Sequence, residues 1–435
     1  MRARLLLLAA LLAAAPIPAS ACPSSRWLPP TPIVPGLRTA APQGAVLYGT
    51  VRTTRGKPVA GAVVSAKPLS RYGVADRAVT DAAGHYALKR LVPSGIDLSV
   101  TARGMGSIGP LPMLIPSTQG KRPMAQELDI GGMGPAVPLA PTPRNAGALK
   151  SHLVELPAIT RDLISDGHGG LDALELTRLV ALGSGKPRPE LSFGALALAA
   201  SWGPERGRRL YAVSSPGGLQ QLSSTCELAA FDARGHKLWC RSLPFQPASL
   251  AAGGDQTVWV VGAHEGFGVA TLVSRTGAIL RSIALSPDSA LRVATDRSGD
   301  GWISDRKAGL VRIAPNGRIL ARIYLPEMPF VVHPTPDGGL WALGGGIATL
   351  LDAHDRPILR VVRPEPIDLS GVDPRGRLWI LESGKLLVFA PHFARSYKLS
   401  GMPIQGAADL AFDDDRRLWL LGLDRRRVAV ARIPW

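Results

Sequence analysis

Five tryptophans, Trp259, Trp302, Trp341, Trp379 and Trp419, follow one another at intervals of 43, 39, 38 and 40 residues. Each stands in a short apolar strand led by an aspartate-containing turn: Asp255–Trp259, Asp296–Trp302, Asp337–Trp341, Asp373–Trp379 and Asp413–Trp419. A second hairpin follows, as in Val273–Leu280 and Ile313–Leu320. A unit of about 40 residues with four short strands is the repeat of a β-propeller, whose blades bury their faces only against one another. An earlier unit carries Leu210-Tyr211-Ala212-Val213 in place of the Trp strand and ends at Trp239. The expectation is an all-β chain with a propeller over residues 151–435, six-bladed, with seven blades the alternative. Each Trp is followed by an apolar residue (Val260, Ile303, Ala342, Ile380, Leu420), which marks it as core between blades. The last unit offers three strands before Trp435, and an open strand edge invites aggregation. An entry segment at 151–190, with a strand inside Leu171–Leu182, is therefore expected to close the last blade.

The other end of the chain sets the address. Arg2 and Arg4 precede the apolar run Leu5–Ala15, then Pro16, Pro18 and the small-residue site Ala19-Ser20-Ala21. Spanning a bilayer takes about 20 apolar residues, so residues 1–21 read as a cleaved signal peptide. The protein is expected to be exported, as a periplasmic, outer-membrane-anchored or secreted protein. Cys22 would be the first mature residue, and Ala19–Cys22 resembles a bacterial lipobox that lacks its leucine, so Cys22 is a candidate for lipidation. Residues 22–43 are Pro-rich and patternless, a tether.

From Gly44 short alternating strands appear: Val46–Val51, Val59–Val64, His85–Leu88 and Ile96–Val100, with turns at Arg55–Pro58 and Thr80–Gly84. Gly49/Val51, Gly56–Val64, Thr80–Tyr86 and Ala102-Arg103-Gly104 resemble, in register, the carboxypeptidase regulatory-like domain. That resemblance implies a small Greek-key β-sandwich over residues 44–131, usually a spacer or binding module. Met105–Arg122 departs from the pattern as a Pro/Gly-rich insertion before a last strand at Ala125–Ile130, and 132–150 reads as a linker. The Trp repeat resembles the NHL and virginiamycin-B-lyase-like propellers, and not WD40, since no Trp-Asp ends a strand. The lyase resemblance implies a metal and a catalytic His, but no motif can be matched residue by residue.

The net charge of +17 raises the question of nucleic acid. The Arg residues, however, are scattered and interleaved with Asp and Glu, and with export this excludes a nucleic-acid partner. The membrane is reached only through a lipid at Cys22, unless the basic surface meets anionic envelope polymers or headgroups. Cys226 and Cys240 flank the turn Asp232–Gly235 and count out within one residue of register, so a disulfide is expected. Ser165–Glu175 faintly matches a calcium loop through Asp166, His168, Leu171 and Glu175, but Ile164 occupies the essential first position. Ca²⁺ is thus a minor expectation, and no other cofactor is expected. Arg292, His333, Asp368 and Asp409 precede the Asp turns and are candidates for the channel mouth. No G-x-S-x-G, H-E-x-x-H, P-loop or dinucleotide motif occurs. The sequence therefore reads as a non-catalytic binding or scaffold protein of a bacterial cell envelope, its propeller face engaging a protein or glycan. The alternative is a metal-dependent propeller lyase or hydrolase with its site at the channel mouth.

Overall fold

A computed structural model describes Thr31–Pro32, residue 43, residues 46–69, 74–115 and 125–156 and, apart from short stretches between strands, 158–434. The expected signal peptide, Cys22 and most of the expected tether lie outside the described residues. All regular elements described are strands.

The N-terminal sandwich has two four-stranded sheets. One contains His85–Leu88, Leu47–Thr53, Gln126–Glu127 and Ile130–Met133, and the other Asp76–Val79, Val63–Pro68, Gly95–Thr101 and Ile108–Leu114. Alternation along the strands turns Leu47, Val51, Val64, Leu88, Leu98 and Val100 into one core, all with 0% exposure. Tyr86 fills that core, and its hydroxyl donates to the Leu128 carbonyl at 2.8 Å. Gly84, at φ +79, closes the turn by donating its N–H to the Asp81 carbonyl. The stretch expected to be an insertion includes a strand, Ile108–Leu114, paired with Gly95–Thr101. Its prolines, Pro110 and Pro112, obscured it, yet an edge strand tolerates residues that cannot donate to a ladder.

The propeller has seven blades among the described residues, the second of the two expected counts. Blade 1 is Thr160–Ser165, Leu171–Glu175, Arg178–Leu182 and Leu191–Ser192; blade 2 is Leu196–Trp202, Leu210–Ser215, Cys226–Phe231 and Lys237–Leu243. Blades 3 to 6 begin at Gln246, Val293, Val331 and Ser370, and blade 7 at Ala407. The innermost strands touch around the ring, with Thr160–Ser165 of blade 1 against Ala407–Phe412 of blade 7. Leu171–Leu182 is thus not the closing strand, because it belongs to blade 1. The closing strand comes from the start of the expected entry segment: Ser151–Glu155 pairs antiparallel with Arg427–Arg432. The same strand begins at Arg144, within the expected linker, and Arg144–Lys150 runs parallel to Phe393–Ser400 of blade 6. One continuous strand therefore edges blade 6 and completes blade 7.

The turns between first and second strands explain the Trp repeat. In blade 6 the Asp373 carboxylate accepts the Arg375 and Arg377 N–H groups and, from its other oxygen, the Trp379 indole N–H at 2.8 Å. Blade 7 repeats this with Asp413 and Trp419 at 2.9 Å. In blades 3 and 5 the same turn position holds Gly253 and Thr335, which carry no carboxylate. There the Trp259 and Trp341 indoles donate instead to the Gly299 and Gly376 carbonyls of the next blade's turn, at 3.2 and 3.0 Å. A buried indole N–H needs a partner, and the turn supplies it either within the blade or across the seam. Asp337, aligned in the sequence with the other aspartates, lies elsewhere in its turn, and Asp255 lies outside the described residues.

The N-terminal segments dress the rim. Arg360 of blade 5 donates to the Pro138 carbonyl at 2.8 Å and accepts from Ala140 at 2.7 Å. Thr31–Pro32, expected to be tether, pairs with Ile283–Ala284 of blade 3. Tyr324, after the outer strand of blade 4, enters the sandwich. Its N–H donates to the Thr54 carbonyl at 3.0 Å, and the Arg52 guanidinium lies 5.9 Å from its ring. A Cβ on Gly56 would come within 2.6 Å of that ring, and one on Gly131 within 2.5 Å of the Tyr324 Cβ. Two glycines thus make the socket.

Candidate functional site

The candidate channel-mouth residues are placed by the short innermost strands. His333 lies on Val331–Pro334 of blade 5, and its Nε2 is 3.1 Å from the Ser370 hydroxyl of blade 6. Burial pushes the imidazole down to about 4, so it is neutral near pH 7. Asp409 lies on Ala407–Phe412 of blade 7. One of its oxygens accepts the Leu163 N–H of blade 1 at 2.6 Å, the other the Leu410 N–H at 2.7 Å. Burial raises this carboxyl to about 6, against the pull of those two N–H groups. Arg292 precedes the inner strand of blade 4 with its side chain exposed, and its N–H donates to the Ser304 hydroxyl at 3.0 Å. Asp368 lies outside the described residues.

One neighbour was missed by sequence reasoning. Asp162, on the inner strand of blade 1, is raised by burial, with Arg161, Arg425 and Arg292 pulling it the other way. The signal was hidden because blade 1 was not recognised as a blade. Arg425 joins the same corner: its guanidinium donates to the Thr160 and Arg161 carbonyls, fastening the last blade to the first. The cluster Arg425-Arg426-Arg427 thus divides its work, since Arg427 pairs with Asp424 of its own turn at 2.6 Å.

The geometry joins these groups in two places and not in one. His333 with Ser370 ties blades 5 and 6, while Asp409, Asp162 and Arg425 gather at the seam of blades 7 and 1. Among the described residues no group of three or more His, Cys, Asp or Glu is placed to hold a metal ion. Of the calcium-loop candidates, Asp166 and His168 lie outside the described residues. Glu175 is ion-paired with Arg178, and Leu171 is buried core.

The two cysteines are set differently from the count. The ladder pairs Cys226 with Leu243 and Ala229 with Cys240, its register shifted by an irregularity between Ala230 and Phe231. They are therefore not direct cross-strand neighbours, and the Cys226 side chain lies outside the described residues.

Residues 46–113 match the carboxypeptidase regulatory-like domain. No curated protein sequence matches the chain. Among solved structures, selenomethionine-substituted virginiamycin B lyase from Staphylococcus aureus has a TM-score of 0.50 at 12% identity, covering 66% of this chain and 100% of that one. A streptogramin B lyase likewise has a TM-score of 0.50 at 11% identity, covering 65% and 98%. The WD40 β-propeller domain of Doa1 has a TM-score of 0.47 at 9% identity, covering 65% and 95%. The chain is thus an all-β protein in which a carboxypeptidase regulatory-like domain precedes a β-propeller.

Proposed function

We propose that this is a non-catalytic binding or scaffold protein of the cell envelope, whose propeller engages a protein or glycan. The observation that carries it is the employment of the channel-mouth groups. Both oxygens of Asp409 accept backbone N–H groups, one across a blade seam, and His333 meets Ser370 across another. A general base or metal ligand is held with a lone pair aimed at its substrate or ion; the bonds these groups make aim them instead across the blade seams. A propeller end built of loops on a rigid ring suits recognition, although fold by itself does not give function. Export and a lipid at Cys22 belong to the same reading and rest on the sequence.

The test is site-specific photo-crosslinking in the native host. A photoreactive residue at Ser383, in the turn between the second and third strands of blade 6, reports on one end of the ring; one at Arg375 reports on the other. The reading expects one discrete adduct from one end. A stoichiometric divalent metal in the purified protein, lost in Asp409→Asn or His333→Ala, would overturn it in favour of an enzyme.

A further inference from the structure

A surface of different character lies on the outer edge of blade 5. Its outer strand, Pro357–Val362, points Ile358, Arg360 and Val362 to one side, because successive side chains of a strand alternate. The chain leaving the sandwich crosses this edge, and Leu139 is the parallel cross-strand neighbour of Arg360. Leu139, Ile358 and Val362 are 67%, 39% and 46% exposed. Three aliphatic side chains therefore surround one guanidinium on an open face.

Arg360 differs from the arginines near it. Arg356 and Arg363, at either end of the strand, are ion-paired with Asp352 and Glu382, each at 2.7 Å. Among the described residues nothing pairs with the Arg360 side chain, whose Nε is buried. Its inner cross-strand neighbour, Thr349, is fully buried with its hydroxyl also unpartnered. At the same ladder position of blade 3, Thr271 and Ser282 hydrogen-bond to each other at 3.1 Å. Blade 3 shows that the position needs no charge to complete a blade. A guanidinium drawn partly out of water without a counter-ion is costly, and the same desolvation strengthens its bond to a carboxylate that reaches it. An arginine ringed by apolar groups is also the composition found at the energetic centre of protein interfaces.

The spacing of the face selects the partner. The Arg360 N–H and carbonyl are already bonded to Pro138 and Ala140, so recognition at this point falls to side chains. Ile358, Arg360 and Val362 recur at every second residue, and an extended segment laid along them recurs with the same period. An acidic side chain with an apolar one two residues to either side matches them one for one. We propose that this face docks an extended segment of a partner protein with the pattern apolar-x-acidic-x-apolar, its carboxylate on Arg360. The surface lies on the rim, separate from the two ends of the ring, so it does not rest on the channel-mouth reading and its failure would leave that reading intact.

Methyl NMR of the full chain, labelled at Ile, Leu and Val, tests it with the end-capped peptide Val-Thr-Glu-Thr-Val and its Gln counterpart. Saturable shifts are expected at the Leu139, Ile358 and Val362 methyls, with the Glu peptide bound about tenfold or more tighter than the Gln peptide. Arg360→Gln should bring the two peptides to equal affinity. Leu139→Ser, at an exposed position, should weaken both about threefold and leave their ratio unchanged. Methyl shifts outside blade 5 that match the parent's show that a variant is folded, and the peptide pair tests the parent by itself. The proposal is overturned if the three methyls do not move at about 5 mM peptide, if the parent binds the two peptides equally, or if Arg360→Gln still prefers the Glu peptide.

Discussion

Asp373 shows how much one side chain can organise. Its carboxylate shapes the turn through two backbone N–H groups, receives the Trp379 indole and pairs with Arg377 at 2.6 Å. Asp373→Ala would leave a buried indole N–H without its acceptor, and the expected loss is about 2–3 kcal/mol in urea denaturation. Thr335→Ala, at the same turn position of blade 5, should cost well under half as much, because Trp341 donates to the next blade. The two seam residues make a second, opposed pair. A carboxyl raised from 3.8 to about 6 favours folding fully below pH 3.8, and that contribution fades as pH climbs to 6. An imidazole lowered from 6.5 to about 4 contributes fully above pH 6.5 and loses its contribution as pH falls to 4. Asp409 and His333 therefore tilt stability in opposite directions through one window. The melting temperature of the parent should be nearly flat between pH 4 and 6.5. Asp409→Asn should make it rise with pH and His333→Gln should make it fall, each by a differential on the order of 1–3 kcal/mol. Parallel slopes in the two variants would contradict these assignments.

At the scale of elements, the strand Arg144–Glu155 carries the ring closure. Leu149, 5% exposed, packs with Trp379, Leu386 and Tyr397 of blade 6, while Ser151–Glu155 completes blade 7. Leu149→Ala should therefore cost about 2–4 kcal/mol and loosen both blades at once, seen as faster amide exchange in Phe393–Ser400 and Arg427–Arg432. Faster exchange in blade 6 alone would mean that the two halves of the strand act separately. The same strand shows where sequence reading stops. Most of its residues are exposed or partly exposed, and its register breaks between Asn145 and Ala148, so it has no apolar alternation to detect. Blade 1 escaped for a related reason: at the place of Trp or Tyr211 it carries Asp172, and its outer strand is only Leu191–Ser192. Where an aromatic residue marks the second strand, the blade was visible; without one, topology was needed. His333 and Asp409 could be proposed from their place before the turns, but not their bonds across seams.

At the scale of the whole molecule, the sandwich is fastened to the propeller and not merely strung to it. Tyr324 enters between Gly56 and Gly131, and Arg55 donates to the His354 carbonyl of blade 5 at 3.4 Å. The chain leaving the sandwich then pairs with Arg360 of blade 5, edges blade 6 and closes blade 7. The domain and the ring closure are therefore mechanically in series: a pull on the sandwich is transmitted to the closing strand unless the Tyr324 peg carries it. Gly131→Leu would fill the socket, since even a Cβ there meets Tyr324 at 2.5 Å, while the sandwich core is left untouched. Tyr324→Ala would empty the peg and leave the socket intact. Both should release the sandwich without unfolding either part, seen by small-angle scattering as a larger radius of gyration. The melting transition of the propeller should stay within about 1 kcal/mol of the parent, as for a substitution outside its core. If the docking instead supports the ring, both variants will lower the propeller transition together with the expansion, and blade 4 will be shown to depend on the domain that covers it.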